Sequence, residues 1–336
     1  MAVRIRSAIA ALLTLAACSD QPDAGVDLGA GAGVDADAAG RCAAPLPALP
    51  APDQPAALWL SELGLYRDIA GKVLAADARP FEPAHALWSD GAEKRRWLRL
   101  PPGSRIDTSD MDHWSFPPGA VLFKEFSRDG RRIETRVIAR TGCAPSDTWM
   151  GAFVWNDDES DARFAPAGER NARGTPHDVP AAATCLTCHG GEPGRVLGFS
   201  AVQQPHAQPD LLTHPVPPVT ASPDPVTAAA LGYLHANCGH CHNPNGSARP
   251  DTDMDLRLSV ADRGQAAPAV RTTVGRPLHY YRSSPLELRV APGDAAHSAL
   301  LQRMLTRGTR AQMPPLATES ADPTGIAIIR AWIESL

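Results

Sequence analysis

Between residues 95 and 155 the chain carries four short runs in which apolar and polar residues mix as in β-strands. The turn-forming sequences PPG, FPPG and RDG separate them, and SRDGRR between two of the runs predicts a hairpin. No amphipathic helix lies between the runs, so the pattern favours an antiparallel, sandwich-like arrangement over a parallel sheet. The predicted strands are Arg95–Leu100, Ala120–Phe126, Arg131–Arg140 and Thr148–Trp155.

The pattern changes from Pro180 onward, where apolar residues recur at helical spacing. Asp294 and Asp322 stand where N-caps of the last two helices are expected. Short helices joined by Pro- and Gly-rich connections predict a small all-α domain. The fold expected for the chain is therefore α+β multidomain, an antiparallel sandwich-like β-domain followed by an all-α domain. The predicted helices are Val226–Asn237, Ala295–Leu305 and Thr324–Ser335.

The first residues are typical of an export signal. Arg4 and Arg6 precede the short apolar run AIAALLTLAA, which ends in LAAC, a bacterial lipobox pattern that predicts a lipid on Cys18. The following Ala-, Gly- and Asp-rich stretch has nothing to bury and predicts a flexible tether. The predicted divisions are 1–18 signal, 19–57 linker, 58–179 β-rich domain and 180–336 all-α domain.

Charge and cysteine content narrow the function classes. The 336 residues carry a formal net charge of −5 and no basic stripe, which argues against a nucleic-acid partner. Of seven cysteines, Cys18 is the predicted lipid acceptor and four form two C-x-x-C pairs. The remaining two, Cys42 and Cys143, most simply form a disulfide in an oxidising compartment.

Both C-x-x-C pairs are followed at once by histidine, as CLTCH at 185–189 and CGHCH at 238–242. C-x-x-C-H is the attachment signature of c-type haem, in which two thiols bind the porphyrin edge and the histidine binds iron. The motifs therefore predict two covalent haems. The predicted attachment residues are Cys185, Cys188, Cys238 and Cys241, and the predicted proximal iron ligands are His189 and His242.

Zinc and thiol redox chemistry are the alternatives for these cysteines. About fifty residues separate the pairs, against the shorter spacing typical of a zinc ribbon, and a Cys₄ site leaves both histidines unexplained. A thioredoxin-like motif needs a βαβ context that the pattern does not offer. Haem is the favoured interpretation, with zinc as the runner-up.

The opposite side of each iron is less constrained by the sequence. Met313, before two prolines in TRAQMPPL, is the predicted distal ligand of the second haem, with core packing as the alternative. His177, shortly upstream of Cys185, is the first choice for the first haem. An open sixth position there is the other possibility. The rival ligands are His206, His214 and Met150.

Two further clusters have weaker signals. Trp88, Asp90, Lys94 and Arg95 form a potential substrate or partner site, although an aromatic anchor with solvated charges is the preferred interpretation. His85 and His113 are isolated histidines, so they give weak support to a copper site.

From about Leu58 the chain resembles a poorly characterised family of exported bacterial dihaem c-type cytochromes. The resemblance implies two haems without implying a reaction. The region around TRAQMPPL, with the last predicted helix, resembles the distal half of class I cytochrome c, which implies that residues 180–336 form an all-α, cytochrome c-like dihaem domain. The segments that carry the family resemblance are LWSDGAEKRRWLRLPPG, WSFPPGAVLFKEF, VWND, HDVPAAATCLTCHGGEPGRVLGFSAVQ, NCGHCHNPNGSA and MPPL.

Three functions follow as expectations. The first is a lipid-anchored dihaem cytochrome that transfers electrons between redox proteins of the bacterial cell envelope. The second is a dihaem enzyme, peroxidase-like or another oxidoreductase, with an open first haem. The third is a β-domain binding module with an accessory haem domain.

Overall fold

The structure is a computed structural model that describes residue 42 and residues 46–279 and 285–336. The predicted signal, the lipid acceptor Cys18 and most of the predicted linker lie outside the described residues. No helix among the described residues is long and apolar enough to span a bilayer.

A six-stranded antiparallel sheet dominates the first half of the chain, with its strands paired in sequence order from β3 to β8. The hairpin predicted at SRDGRR joins β5 to β6, and Asp129 and Gly130 at its turn both adopt positive φ. Two further strands form a separate small sheet. The strands are β1 Tyr66–Asp68, β2 Val73–Leu74, β3 Arg79–Pro80, β4 Glu93–Arg99, β5 Val121–Arg128, β6 Arg131–Arg140, β7 Thr148–Trp155 and β8 Ala162–Phe164.

The predicted sandwich is wrong, because the large sheet has no second sheet of comparable size facing it among the described residues. One face packs Trp97, Phe123 and Phe153 against the segment that begins at Leu58. The opposite face packs Leu122 and its neighbours against loops that include Trp114, Val196 and Phe199. Aromatic residues on long loops bury the apolar faces that a partner sheet buries in a sandwich.

Five short α-helices follow the sheet, and the predicted all-α cytochrome c-like domain is not seen in the described part of the chain. Long irregular connections and isolated β-bridges such as Val274–Val290 separate the helices, which accords with their proline and glycine content. The start predicted for the second of the three predicted helices, Ala295, is also wrong. That helix begins at Ala299, and Asp294 instead accepts a turn hydrogen bond from His297 N. The helices are α1 Cys185–His189, α2 Pro225–Asn237, α3 Pro268–Thr273, α4 Ala299–Leu305 and α5 Pro323–Ser335.

The core of the helical part lies where α2 meets α5. Leu231 and Leu234 of α2 pack with Ile329 and Trp332 of α5, all of them buried. Gly325 faces the Tyr233 ring so closely that a Cβ there would overlap the ring. This contact holds α2 in place, and the second cysteine motif follows directly from the end of α2.

A disulfide joins Cys42 to Cys143, the two cysteines left over by the sequence tally, with their Cα atoms 5.1 Å apart. It ties the chain before the sheet to the loop between β6 and β7.

The double change Cys42→Ser and Cys143→Ser is expected to lower the free energy of unfolding by about 4 kcal/mol, because the bridge closes a loop with a sequence separation of 101. Urea unfolding of the purified protein measures the loss, and the unreduced wild type titrated for free thiols is the control. A reactive thiol at either position in the mature protein would contradict the pairing.

Candidate haem-binding site

The first Cys-x-x-Cys-His motif forms α1, a single helical turn that is followed by the C-cap residue Gly190. Cys185 and Cys188 therefore lie on the same side of one turn, and both are partly buried thiols outside any disulfide. This is the arrangement that two thioether bonds to one porphyrin edge require.

His189, the last residue of α1, is held by the chain that follows it. Its Nδ1 lies 2.8 Å from the carbonyl oxygen of Arg195, so Nδ1 must be the donor in this hydrogen bond. Burial lowers the pKa of His189 to about 4, which leaves the ring neutral. The neutral ring then has its lone pair on Nε2, which is how iron-binding histidines are oriented by a backbone carbonyl.

The second motif continues directly from the C-terminus of α2. His242 N donates to the carbonyl oxygen of Cys238 at 2.9 Å, so this motif also forms one helical turn. Asn243 stabilises it, since its Nδ2 donates to the carbonyl oxygens of Gly239 at 2.8 Å and His240 at 3.1 Å. Asn243 is itself buried, so these bonds are protected from water.

His242 has a buried ring nitrogen that needs a partner. Its Nδ1 is buried without a hydrogen bond from any described residue, and burial lowers the pKa of the ring to about 4. A buried polar atom without a partner is rare in proteins, and Nδ1 of His242 is one of seven such side-chain atoms among the described residues. The second motif thus presents a neutral imidazole next to two thiols.

The two motifs, distant in sequence, touch each other in the fold. Sγ of Cys188, Sγ of Cys241 and a ring nitrogen of His240 lie within 4.8 Å of one another. A hydrogen bond between the two thiols lowers the pKa of Cys241 and raises that of Cys188. Glycine makes the approach possible, because a Cβ on Gly191 would fall 2.8 Å from the Cα of Gly246.

A cavity of about 530 Å³ opens beside the first motif, within the size range of small-molecule and cofactor sites. Its lining includes Cys185, Cys188 and His189 from the first motif and Cys241 from the second. The facing wall is the β-sheet, which contributes an apolar row and a charged row. Sheet and helical regions therefore form this cavity together.

His177 lies in the wall of this cavity but has a protein partner. Its Nε2 is 2.7 Å from Oε1 of Glu134, and both side chains are buried. Burial alone would raise the pKa of Glu134, but Arg136 and the hydrogen bond from His177 lower it to about 2. Glu134 thus occupies one ring nitrogen of His177, the residue predicted as the sixth ligand of the first haem. The rivals His206 and His214 are exposed, whereas Met150 lines the cavity.

Met313 is hydrogen-bonded through its backbone to Arg303 and Arg307. Its backbone N donates to the carbonyl oxygen of Arg303 at 3.0 Å, and its carbonyl oxygen accepts from Arg307 at 3.2 Å. The Arg303 guanidinium is also near enough to His242 to lower the pKa of that ring, after burial and against the opposing effect of Cys241. Met313 and His242 thus both interact with Arg303. Pro314, the residue after Met313, lines the cavity beside the first motif.

The weaker sequence clusters have structural partners. Trp88 N donates to Oδ1 of Asn237 at 2.7 Å, and Asp90 accepts from the backbone N of Glu319 and Ser320, both at 2.9 Å. These bonds fasten the loop before β4 to α2 and to the segment before α5. Nδ1 of His113 is paired with Glu192 at 2.8 Å, and neither His85 nor His113 belongs to the cluster of potential metal ligands found among the described residues.

The donor set fits haem better than a closed zinc site. Structural zinc takes four ligands, whereas three donors meet at Cys188, His240 and Cys241. Each motif turn separately offers two thiols and a neutral imidazole, which is what a c-type haem needs. No family model, curated protein or solved structure matches the chain, so the assignment depends on the residues themselves.

Sequence reasoning missed several residues of this site. Nothing in the linear pattern showed that Glu134 would be buried against His177 or that Arg195 would orient His189. Asn243 and the glycines after each motif were visible in the sequence, and the dense turn chemistry of HGG and HNPNG was the signal that could have found them.

Proposed function

We propose that the protein is a dihaem c-type cytochrome of the bacterial cell envelope that transfers electrons between redox proteins. The observation that carries the proposal is the contact between the two Cys-x-x-Cys-His turns at Cys188 and Cys241. Two redox centres attached at adjoining turns suit a relay, in which an electron enters at one centre and leaves from the other. The lipobox pattern at Cys18 supports attachment to a membrane by lipid.

The residues of each motif have separate roles in this proposal. Cys185 and Cys188 hold one haem and Cys238 and Cys241 hold the other, through thioether bonds. His189 and His242 are the proximal ligands. Bound haem iron supplies one-electron redox chemistry, and its reduction potential depends on axial ligands, hydrogen bonds and burial. Arg195 and Asn243 orient the proximal histidine and the motif turn, so they position groups without touching the iron.

A second function, an enzyme with an open first haem, is favoured by one specific observation. His177 is the sixth ligand predicted from the sequence, and its Nε2 is hydrogen-bonded to Glu134. The cavity of about 530 Å³ on that side leaves room for a small ligand. An iron with a vacant position in such a cavity would react with peroxide or another small molecule.

One set of measurements tests both proposals. Pyridine haemochrome analysis of the purified protein is expected to give two c-type haems per chain, with low-spin ferric spectra and no rapid binding of cyanide or CO. A high-spin fraction that reacts with peroxide would replace the relay by the enzyme. Stoichiometric zinc without covalent haem, measured by metal analysis, would reject both proposals.

A further inference from the structure

Three basic side chains form a row across the sheet, in the wall of the cavity beside the first Cys-x-x-Cys-His motif. Arg96 on β4 stands directly opposite Lys124 on β5, and Lys124 stands directly opposite Arg136 on β6. Residues opposite each other in antiparallel strands point to the same face, and all three side chains line the cavity. Like charges in this position destabilise a sheet unless something compensates them.

Among the described residues, only one side chain of the row, Arg136, has its charge balanced by a salt bridge. Arg136 forms a salt bridge with Glu134, with Nε and Oε2 3.0 Å apart. Neither Arg96 nor Lys124 forms a salt bridge with any residue that the structure describes. Burial lowers the pKa of Lys124 well below its usual value, and repulsion from Arg136, Arg96 and Lys94 lowers it further. Burial also lowers the pKa of Arg96, while Glu82 acts on it in the opposite direction from beyond salt-bridge distance, as Glu134 does on Lys124. Among the described residues, no carboxylate therefore lies within salt-bridge distance of either Arg96 or Lys124.

Three of the carboxylates that line the cavity, Glu192, Asp112 and Asp90, are engaged elsewhere. Glu192 is bound to His113 at 2.8 Å and to Arg257 at 2.7 Å. Asp112 accepts from the backbone N of Val260, and Asp90 accepts from the segment before α5. None of these acids is within salt-bridge distance of the basic row.

We propose that Arg96, Lys124 and Arg136 form a binding site for a carboxylate group in the cavity beside the first Cys-x-x-Cys-His motif. Guanidinium and ammonium groups donate short, charge-assisted hydrogen bonds to carboxylates, and such bonds strengthen in a partly buried site. Phe126 supports the row from one side, since Lys124 and Arg136 lie 4.8 and 4.5 Å from its ring centroid. The site is thus built of packed side chains on a rigid sheet.

Two kinds of molecule could supply this carboxylate group, and their carboxylates have the same chemistry. One is a free organic acid that enters the cavity. The other is a propionate of the haem attached at Cys185 and Cys188, and this source alone depends on the proposed function. Both would neutralise the row in the same way.

The test uses the purified full-length protein, with its haem content measured first. Succinate is titrated at constant ionic strength into the wild type and the variants Lys124→Met and Arg96→Gln, and binding is followed by calorimetry and thermal shift. Arg95→Gln is the matched control, because Arg95 is exposed and lies one residue from Arg96 on the opposite face of β4.

If a free acid is the source, succinate binds the wild type and the control, and each row variant weakens binding about tenfold or more, as expected for one charge-assisted bond. If propionate is the source, succinate does not bind, but each row variant lowers the reduction potential of one haem and shifts the propionate infrared bands, and the control does neither. A protein that binds succinate without covalent haem would overturn the proposed function and leave this site standing.

The proposal is overturned if succinate fails to bind the haem-loaded wild type and the row variants also leave the potential and the propionate bands unchanged. Folding is checked independently by melting without succinate. There Lys124→Met is expected to melt at a higher temperature than the wild type if the row is empty, because the substitution removes a buried like-charge contact.

Discussion

Replacing Cys185 and Cys188 together by alanine is expected to halve the covalent haem content and leave the second site loaded. Each motif forms its own helical turn with its own histidine, so loss of the thiols of one turn leaves the other turn complete. Pyridine haemochrome analysis and haem staining of the denatured chain measure the loss. The remaining haem reports the spectrum of the second site alone.

The reciprocal change, Cys238→Ala with Cys241→Ala, is the matched control. It is expected to remove the second haem and to leave the first haem attached. A chain that kept two haems after either double change would show that these thiols do not attach haem. Loss of both haems from a folded protein would show instead that the contact between Cys188 and Cys241 makes attachment interdependent. Circular dichroism separates that result from simple unfolding.

Four of the eight strands among the described residues were predicted, because each carries a strong local signal, whereas the strands of two or three residues, β1, β2, β3 and β8, were not. Arg131–Arg140 and Thr148–Trp155 have the predicted bounds, since β-branched and aromatic residues end abruptly at turn sequences. The arrangement of the sheet was not predictable in the same way. Whether an apolar face meets a second sheet or a loop depends on distant residues such as Phe199, which have no strand pattern of their own.

The helical region shows the same limit more strongly. Pro225–Asn237 and Pro323–Ser335 extend one residue before their predicted starts, where Asp224 and Asp322 are the N-caps. The inference from these helices to an all-α cytochrome c-like domain was wrong. Helical periodicity describes one face of one element and says little about the long connections, which here run irregularly and form isolated bridges with one another.

The candidate site divides along the same line. Local spacing identified both cysteine motifs, because the chemistry of haem attachment is confined to five consecutive residues. The partners of those motifs come from elsewhere in the chain. The row formed by Arg96, Lys124 and Arg136 depends on strand register across three strands, and no window of sequence contains it.

Met313→Ala is expected to abolish the near-infrared band of a ferric Met/His haem and to lower the reduction potential of one haem. A thioether ligand raises the potential of haem iron, so its loss favours the oxidised state. The structure supports this expectation by placing Met313 and His242 near the same residue, Arg303. Near-infrared absorption and a redox titration of the purified protein provide the measurement.

Met150→Leu is the matched control, because Met150 is the methionine that lines the first cavity and leucine keeps its volume. The band is expected to persist in this variant. If the band were lost from Met150→Leu and kept in Met313→Ala, the thioether ligand would be Met150 at the first haem. Met313 would then be a packing residue. Loss from Met313→Ala alone, with two haems still attached, would identify Met313 as the thioether ligand, and persistence of the wild-type band in the Cys185→Ala, Cys188→Ala protein would assign it to the second iron. The remaining haem would then be the one whose free side faces the cavity, where small-molecule chemistry can be sought.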